Sequence, residues 1–155
     1  MIDSKNAPLQ INAPVLALDL GEKRVGVAVS DTLSISITPL GALARTNWKQ
    51  LLRDIEDLVR HYDAQTVVIG LPLKLNGEDG DAALEVRRLA QNFARSLKVP
   101  VYLQDERLSS VAAEQTLRLR GYKGEQVSAY VDSEAASIIL GDFLGSEQTR
   151  ILVAP

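Results

Sequence analysis

"VLALDLGEKRVGVAVSD", residues 15–31, decides how this chain begins to fold. Val15, Leu16, Ala17 and Leu18 form an apolar run that reads as a buried strand and ends on a carboxylate, Asp19. After Gly21 to Lys23 the apolar pattern resumes through Val25, Val27 and Val29, with Gly26 where another group can approach the backbone closely. So short a link joins two strands only as antiparallel neighbours. Burying an unpaired carboxylate costs several kcal/mol, roughly, so Asp19 requires compensation. Turn amides, a cationic side chain or a bound metal ion can each supply it.

Outward from this hairpin, "ISITPLGAL" (residues 35–43) gives a third strand, and Pro39 marks it as an edge. The period then changes. Asn47 suits a helix N-cap, and Leu51, Leu52, Ile55, Leu58, Val59 and Tyr62 recur at helical spacing through His61. "TVVIGLP" (66–72) is a β-branched run of the kind buried on both faces. A helix is expected over about 81–97, with Leu84, Leu89 and Phe93 among its apolar positions, then a strand at "VPVYLQDER" (99–107). Ser109 or Ser110 can cap a helix running to about Arg120 and closed by Gly121, and Asp132 can cap the last helix. The order β-β-β-α-β-α-β-α-α predicts an α/β fold with a mixed five-stranded sheet flanked by helices on both faces. One domain is expected over 15–145, between a loose lead (1–14) and a C-terminal tail (146–155).

The chain has 155 residues, no cysteine and one histidine, which excludes disulfides, thiolate nucleophiles and cysteine-bound metals. His61 sits at a helix end, where a cation suits the dipole, so a serine–histidine–aspartate hydrolase is rejected. "GLPLKLNGEDG" (70–80) lacks the Gly-Lys-Ser/Thr ending of a phosphate loop. No apolar run reaches the roughly 20 residues that span a bilayer, and the first residues lack the basic and apolar regions of a signal peptide. The expectation is a soluble cytoplasmic protein with no membrane partner.

Sites in open sheets gather at the carboxyl ends of the parallel strands. Asp19, Glu106 and Asp132 stand at ends of elements, and Mg²⁺ or Mn²⁺ prefers such oxygen ligands. Each acid also has an ordinary role open to it. Asp19 can accept from the turn amides, Glu106 can pair with Arg107, and Asp132 can cap its helix. The net charge of -3 argues against a general nucleic-acid coat, yet the cations cluster. Lys23 and Arg24 lie beside Asp19, Lys74 and Asn76 sit on the 70–80 loop, and Arg107, Arg118, Arg120 and Lys123 face only Glu114 in charge. These are the candidate phosphate contacts. At 5% aromatic content, base-stacking platforms are not expected, Tyr122 and Tyr130 being the best candidates.

Together "ALDLGEKRVGVAVSD", "VVIGLPLKLNG", "LQDERLSS" and "VDSEAASIIL" resemble the YqgF family, pre-16S ribosomal RNA nucleases also called Holliday-junction-resolvase-like proteins. The resemblance runs from about Val15 to Leu144. It implies an RNase H-like fold and metal-dependent endonucleolytic cleavage during 5′ maturation of the small-subunit ribosomal RNA. It also implies that Asp19, Glu106 and Asp132 are the family's acids, holding Mg²⁺ or Mn²⁺. Related junction resolvases carry a further acid where Ala135 stands here. The expected partner is pre-16S rRNA, free or within a ribosomal particle, bound by a monomer or weak homodimer. A resolvase acting on branched DNA and a non-catalytic ribosome-assembly factor are the alternatives.

Overall fold

The computed structural model describes residues 10–106 and 125–155, with the backbone alone at 125–133. Three strands open the fold: β1 (Val15–Leu20), β2 (Arg24–Ser30) and β3 (Ile37–Ala44). Helix α1 (Trp48–His61), β4 (Thr66–Leu71), α2 (Asp81–Ser96) and β5 (Val101–Asp105) follow. The chain closes with α3 (Glu125–Gly145), a 3-10 turn and β6 (Arg150–Leu152). The strands lie in the order β3-β2-β1-β4-β5-β6. β1 pairs antiparallel with β2 and parallel with β4, β4 pairs parallel with β5, and β5 antiparallel with β6.

The sheet therefore has six strands where five were expected. The sixth is formed by part of the "ILVAP" segment read as a tail, in which Ile151 pairs with Leu103 and Leu152 with Tyr102. Three residues are too few to stand out as a strand by pattern. Arg150, paired with Gln104 in the ladder, also anchors the strand through its side chain: its Nε donates to the Phe143 carbonyl at 2.8 Å, and its guanidinium lies 4.9 Å from the Phe143 ring centroid.

Burial explains the positions of the strands. All six residues of β4 are buried because β4 lies inside the sheet with both faces covered. β3 is an edge, as Pro39 requires, and its pairing with β2 skips Leu40 between Pro39 and Gly41. Gly41 takes a φ of 90° there, which an L side chain rarely adopts. On one face of the sheet, Leu51 and Ile55 of α1 join Val86 and Phe93 of α2 over Leu16, Leu18, Val67 and Ile69. On the other, Ala136, Ile139, Leu140 and Phe143 of α3 cover Val15, Ala17, Val68 and Tyr102. The apolar residues of each strand thus alternate between two cores.

Asn47 caps α1 as expected, its Oδ1 accepting from the Gln50 amide at 2.9 Å, an arrangement worth about 1 kcal/mol. Leu84 does not join the core of α2. It is 56% exposed, while its neighbours Ala83 and Val86 turn inward. The last helix starts earlier than expected, at Glu125, so Asp132 is an interior helical position and not its N-cap, and Tyr130 lies on the helix. No glycine or proline interrupts residues 125–132, so nothing stops the helix from starting there. The expected helix over about 109–120 lies outside the described residues. Among the described residues, no helix is long and apolar enough to cross a membrane.

Candidate functional site

The site is built around Gly70. The β1–β4 register ends with Leu18 beside Ile69, which sets Asp19 and Gly70 as neighbours one step further on. Across β1, Asp19 pairs with Gly26 of β2. Strand alternation puts Asp19 on the face of Val15 and Ala17, under α3, where it is 8% exposed. A carboxylate with a glycine on each side has no neighbouring side chain in the same row. The sequence marked Gly26 as a place of close approach; Gly70 carries the same meaning.

Glu106 reaches that place from the end of β5. Its amide donates to the Leu71 carbonyl at 3.1 Å, which folds the chain back toward β4. A Cβ on Gly70 would stand 2.7 Å from both Cδ and Oε2 of Glu106 and 2.5 Å from Cδ1 of Ile139 on α3. The Glu106 carboxyl thus occupies the space that a side chain at position 70 would fill. Asp19 and Glu106, chosen from the sequence as strand-end acids, both border Gly70.

The third acid, Asp132, lies on α3 seven residues before Ile139, close to two helical turns or about 10 Å along the axis. Its side chain is outside the described region. Among the described residues, no three acidic or histidine side chains come together as a metal cluster. Ala135, where related resolvases were expected to differ, is fully buried.

The remaining candidates divide by place. Lys23 and Arg24 flank the β1–β2 turn at the Asp19 end of the sheet, both exposed. Lys74 follows β4 at the same end, and its stem lies against Gly80, where a Cβ would meet its Cε at 3.1 Å. The Asn76 side-chain oxygen accepts from the Glu78 amide at 3.0 Å, and the Lys74 amide donates to the Glu78 carbonyl at 2.9 Å. That oxygen therefore shapes the loop's own turn. Arg107, Arg118, Arg120 and Lys123 lie outside the described residues. The turn amide of Gly21 is taken by backbone carbonyls, those of Asp19 at 3.2 Å and Arg24 at 2.9 Å.

Pattern reading missed Asp142. With Gln104, Asp105, Ser146 and Thr149 it lines an open cleft of about 430 Å³. Burial raises the Asp142 carboxyl above its ordinary value of 3.8, and the negative charge of Asp105 adds to the rise. The folded protein then holds this proton more tightly than the unfolded chain. Stability from this group falls as pH rises from 3.8 through the raised folded value. Asp142→Asn is expected to raise the melting temperature at neutral pH and to leave it unchanged well below 3.8, as thermal melts at the two pH values will read. A lower melting temperature at neutral pH would contradict it. Only the sequence-distant neighbour Asp105 could have signalled this group, and pattern reading does not see such pairs.

Comparison with known proteins concerns the chain as a whole. A family profile described as "RuvX: Holliday junction resolvase" matches residues 13–146. A protein of Chloroflexus aurantiacus, provisionally named a pre-16S rRNA nuclease, is 42% identical over 136 residues, covering 88% of this chain and 89% of its own. One of Streptomyces avermitilis with the same provisional name is 41% identical over 134 residues, covering 86% of each chain. Among solved structures, Thermus thermophilus RuvC in complex with Holliday junction substrate aligns with a TM-score of 0.54 at 15% identity, covering 89% of this chain and 98% of that one. The fowlpox virus Holliday junction resolvase aligns with a TM-score of 0.50 at 17% identity, over 88% of this chain and 99% of that one. At such identities the likeness concerns the fold, which is the RNase H-like one that the motifs implied.

Proposed function

The chain belongs to the RuvX family of Holliday junction resolvases, and from that premise we propose that it is a divalent-metal-dependent endonuclease acting in 5′-end processing of pre-16S rRNA. The observation that carries the reading is the meeting of Asp19 and Glu106 at Gly70, on the face covered by α3. The donor set fits a hard cation: carboxylate oxygens without thiolate, in a place that glycines at 26 and 70 keep open. Asp19 and Glu106 would hold Mg²⁺ or Mn²⁺, with Asp132 as the third ligand. Such an ion, when bound, activates water and offsets the charge that develops on phosphodiester cleavage.

The protein's own side chains supply the rest. Lys23, Arg24 and Lys74 offset phosphate charge along the sheet end, and Arg107, Arg118, Arg120, Lys123 and Asn76 extend the contact along the strand. With its only histidine at the far end of α1, the chain brings no imidazole base to the site. Hydrolysis leaves a 5′-phosphate and a 3′-hydroxyl. The relatives' provisional name, pre-16S rRNA nuclease, supports RNA over a DNA junction as the substrate. In this reading the protein works in the cytoplasm as a monomer or weak homodimer.

The family description and the RuvC likeness favour a second reading, resolution of branched DNA. The two part on substrate. Purified protein is incubated with pre-16S rRNA carrying its 5′ extension, or with a four-way DNA junction, in Mn²⁺ or in EDTA. Trimming of the RNA in Mn²⁺ and none in EDTA is the expected outcome. Junction cleavage with intact RNA would select the resolvase. Binding that survives EDTA without cleavage of either substrate would select an assembly factor.

A further inference from the structure

Arg45 lies just past the end of β3 and belongs to no motif. Its Nη1 donates to the Gly21 carbonyl at 2.8 Å, and its backbone amide donates to the Lys23 carbonyl at 2.9 Å. Its other guanidinium nitrogen, Nη2, lies 3.6 Å from Oε1 of Glu85 on α2. Glu85 is in turn gripped by Arg88, through Nη2 at 2.7 Å and Nε at 3.1 Å. The Arg88 hydrogen bond chiefly, and the charges of Arg88 and Arg45 further, hold the Glu85 carboxyl below its ordinary value, so it stays ionised at working pH. One side chain thus spans from the β1–β2 turn to α2.

That turn is a sensitive place. It begins two residues after Asp19 and carries Lys23 and Arg24. Within it, the Gly21 amide bonds the Asp19 and Arg24 carbonyls, and a Cβ on Gly21 would stand 2.7 Å from the Arg24 carbonyl oxygen. The loop is compact, and beyond its own bonds it is held to the end of β3 by the Arg45 amide on Lys23 and by the pairing of Arg24 with Ala44. Two exposed cations on a turn with freedom to swing would lose orientational entropy on meeting a phosphate. A planar guanidinium, able to donate in two directions at once, is suited to fixing such a turn where an ammonium is not.

We infer that Arg45 is a positioning residue for substrate binding: it clamps the β1–β2 turn to α2 through Gly21 and Glu85, and so presents Lys23 and Arg24 to the phosphates of the nucleic-acid strand. This rests on the nuclease reading above. Arg45 acts through the turn and not on the reacting atoms, so its loss raises KM and spares kcat. Its effect also depends on the cations it presents. Without Lys23 and Arg24, the clamp has nothing left to orient.

The test is a double-mutant cycle on the 5′ region of pre-16S rRNA in Mn²⁺, using Arg45→Met, the pair Lys23→Ala and Arg24→Ala, and all three together. Methionine keeps most of the stem and removes the donors. Arg45→Met is expected to raise KM about tenfold, the scale of one charge-assisted hydrogen bond, with kcat within about twofold. Added to the Lys23→Ala and Arg24→Ala background, it is expected to change KM less than about twofold. Arg45→Lys is expected to recover little of the loss. Amide hydrogen exchange at Gly21 to Arg24, read in the same variant without RNA, is expected to quicken while the rest of β1 keeps its protection.

Effects that add in the cycle would make Arg45 a direct phosphate contact and overturn the inference. Unchanged exchange at the turn would overturn it as well. If the wild type neither binds nor cleaves the RNA, the nuclease reading fails on its own account. In that case the role in substrate presentation falls with it, and quickened turn exchange would preserve only the mechanical clamp.

Discussion

Replacing Asp19 by Asn is expected to leave the protein folded and, on the proposed function, to lower Mn²⁺-dependent cleavage of precursor RNA at least about a hundredfold. Changes to residues that merely support metal ligands cost 10- to 100-fold, roughly, and the loss of a ligand itself should be no smaller. Asparagine matches aspartate in shape, so the 8%-exposed position beside Gly26 and Gly70 accepts it without a packing defect. What changes is the charge. Glu106 borders the same glycine, and neutralising one of two acids there removes repulsion between them. The melting temperature of the metal-free variant is therefore expected to equal or exceed that of the wild type in EDTA. Activity and stability are then expected to move apart, as they do where acids serve a ligand more than the fold. Cleavage at the wild-type rate would show that the reaction does not pass through Asp19.

The second large effect belongs to Gly70→Ala. The new methyl would lie 2.5 Å from Cδ1 of Ile139 and 2.7 Å from the Glu106 carboxyl, closer than carbon atoms tolerate. Ile139 is fully buried and has little room, so the Glu106 side chain must swing away. Overpacking of this kind costs about 1–3 kcal/mol. A displacement of about 1 Å in a catalytic group costs about a hundredfold in rate, and a loss of at least about tenfold is expected here. Ile139→Val in the same chain separates the two consequences. It removes Cδ1, so the double variant should regain melting temperature while staying poorly active, because the methyl still displaces Glu106. Recovery of full activity by Ile139→Val would mean that the Glu106 carboxyl is not needed where it stands.

Much of this arrangement was legible in the sequence because period-2 and period-3.6 patterns leave distinct marks. β1, β2, α1 and β4 were found nearly residue for residue, since each has a strong apolar pattern and a clear stop such as Gly21 or Pro72. β6 was missed: a three-residue strand has no period, and its place is fixed by Arg150 and by register with β5. The start of α3 was misplaced because Asp132 looks like a cap while nothing before it breaks a helix. Asp19 and Glu106 were legible as acids at strand ends. The bend at Gly70 to Pro72 was legible at the same sheet end, but not its close contact with both acids, because parallel pairing joins residues fifty apart and only the register between β1 and β4 brings Asp19 and Gly70 side by side. Arg45 and Asp142 left no mark for the same reason, their partners being remote in sequence.

The two faces of the sheet are finished at different moments of synthesis. The α1 and α2 face closes early, since every residue of its main cluster precedes Asp105. The other face, with Val15, Ala17, Ala28, Val68 and Tyr102, waits for Ile139, Leu140 and Phe143. That half of the nascent sheet therefore lies open to solvent until residues 136–143 have been made, an invitation to chaperones and to unwanted association. Asp19 is on the late-closing face. The same order of events leaves Asp19 and Gly70 without a cover until the residues of α3 have been made.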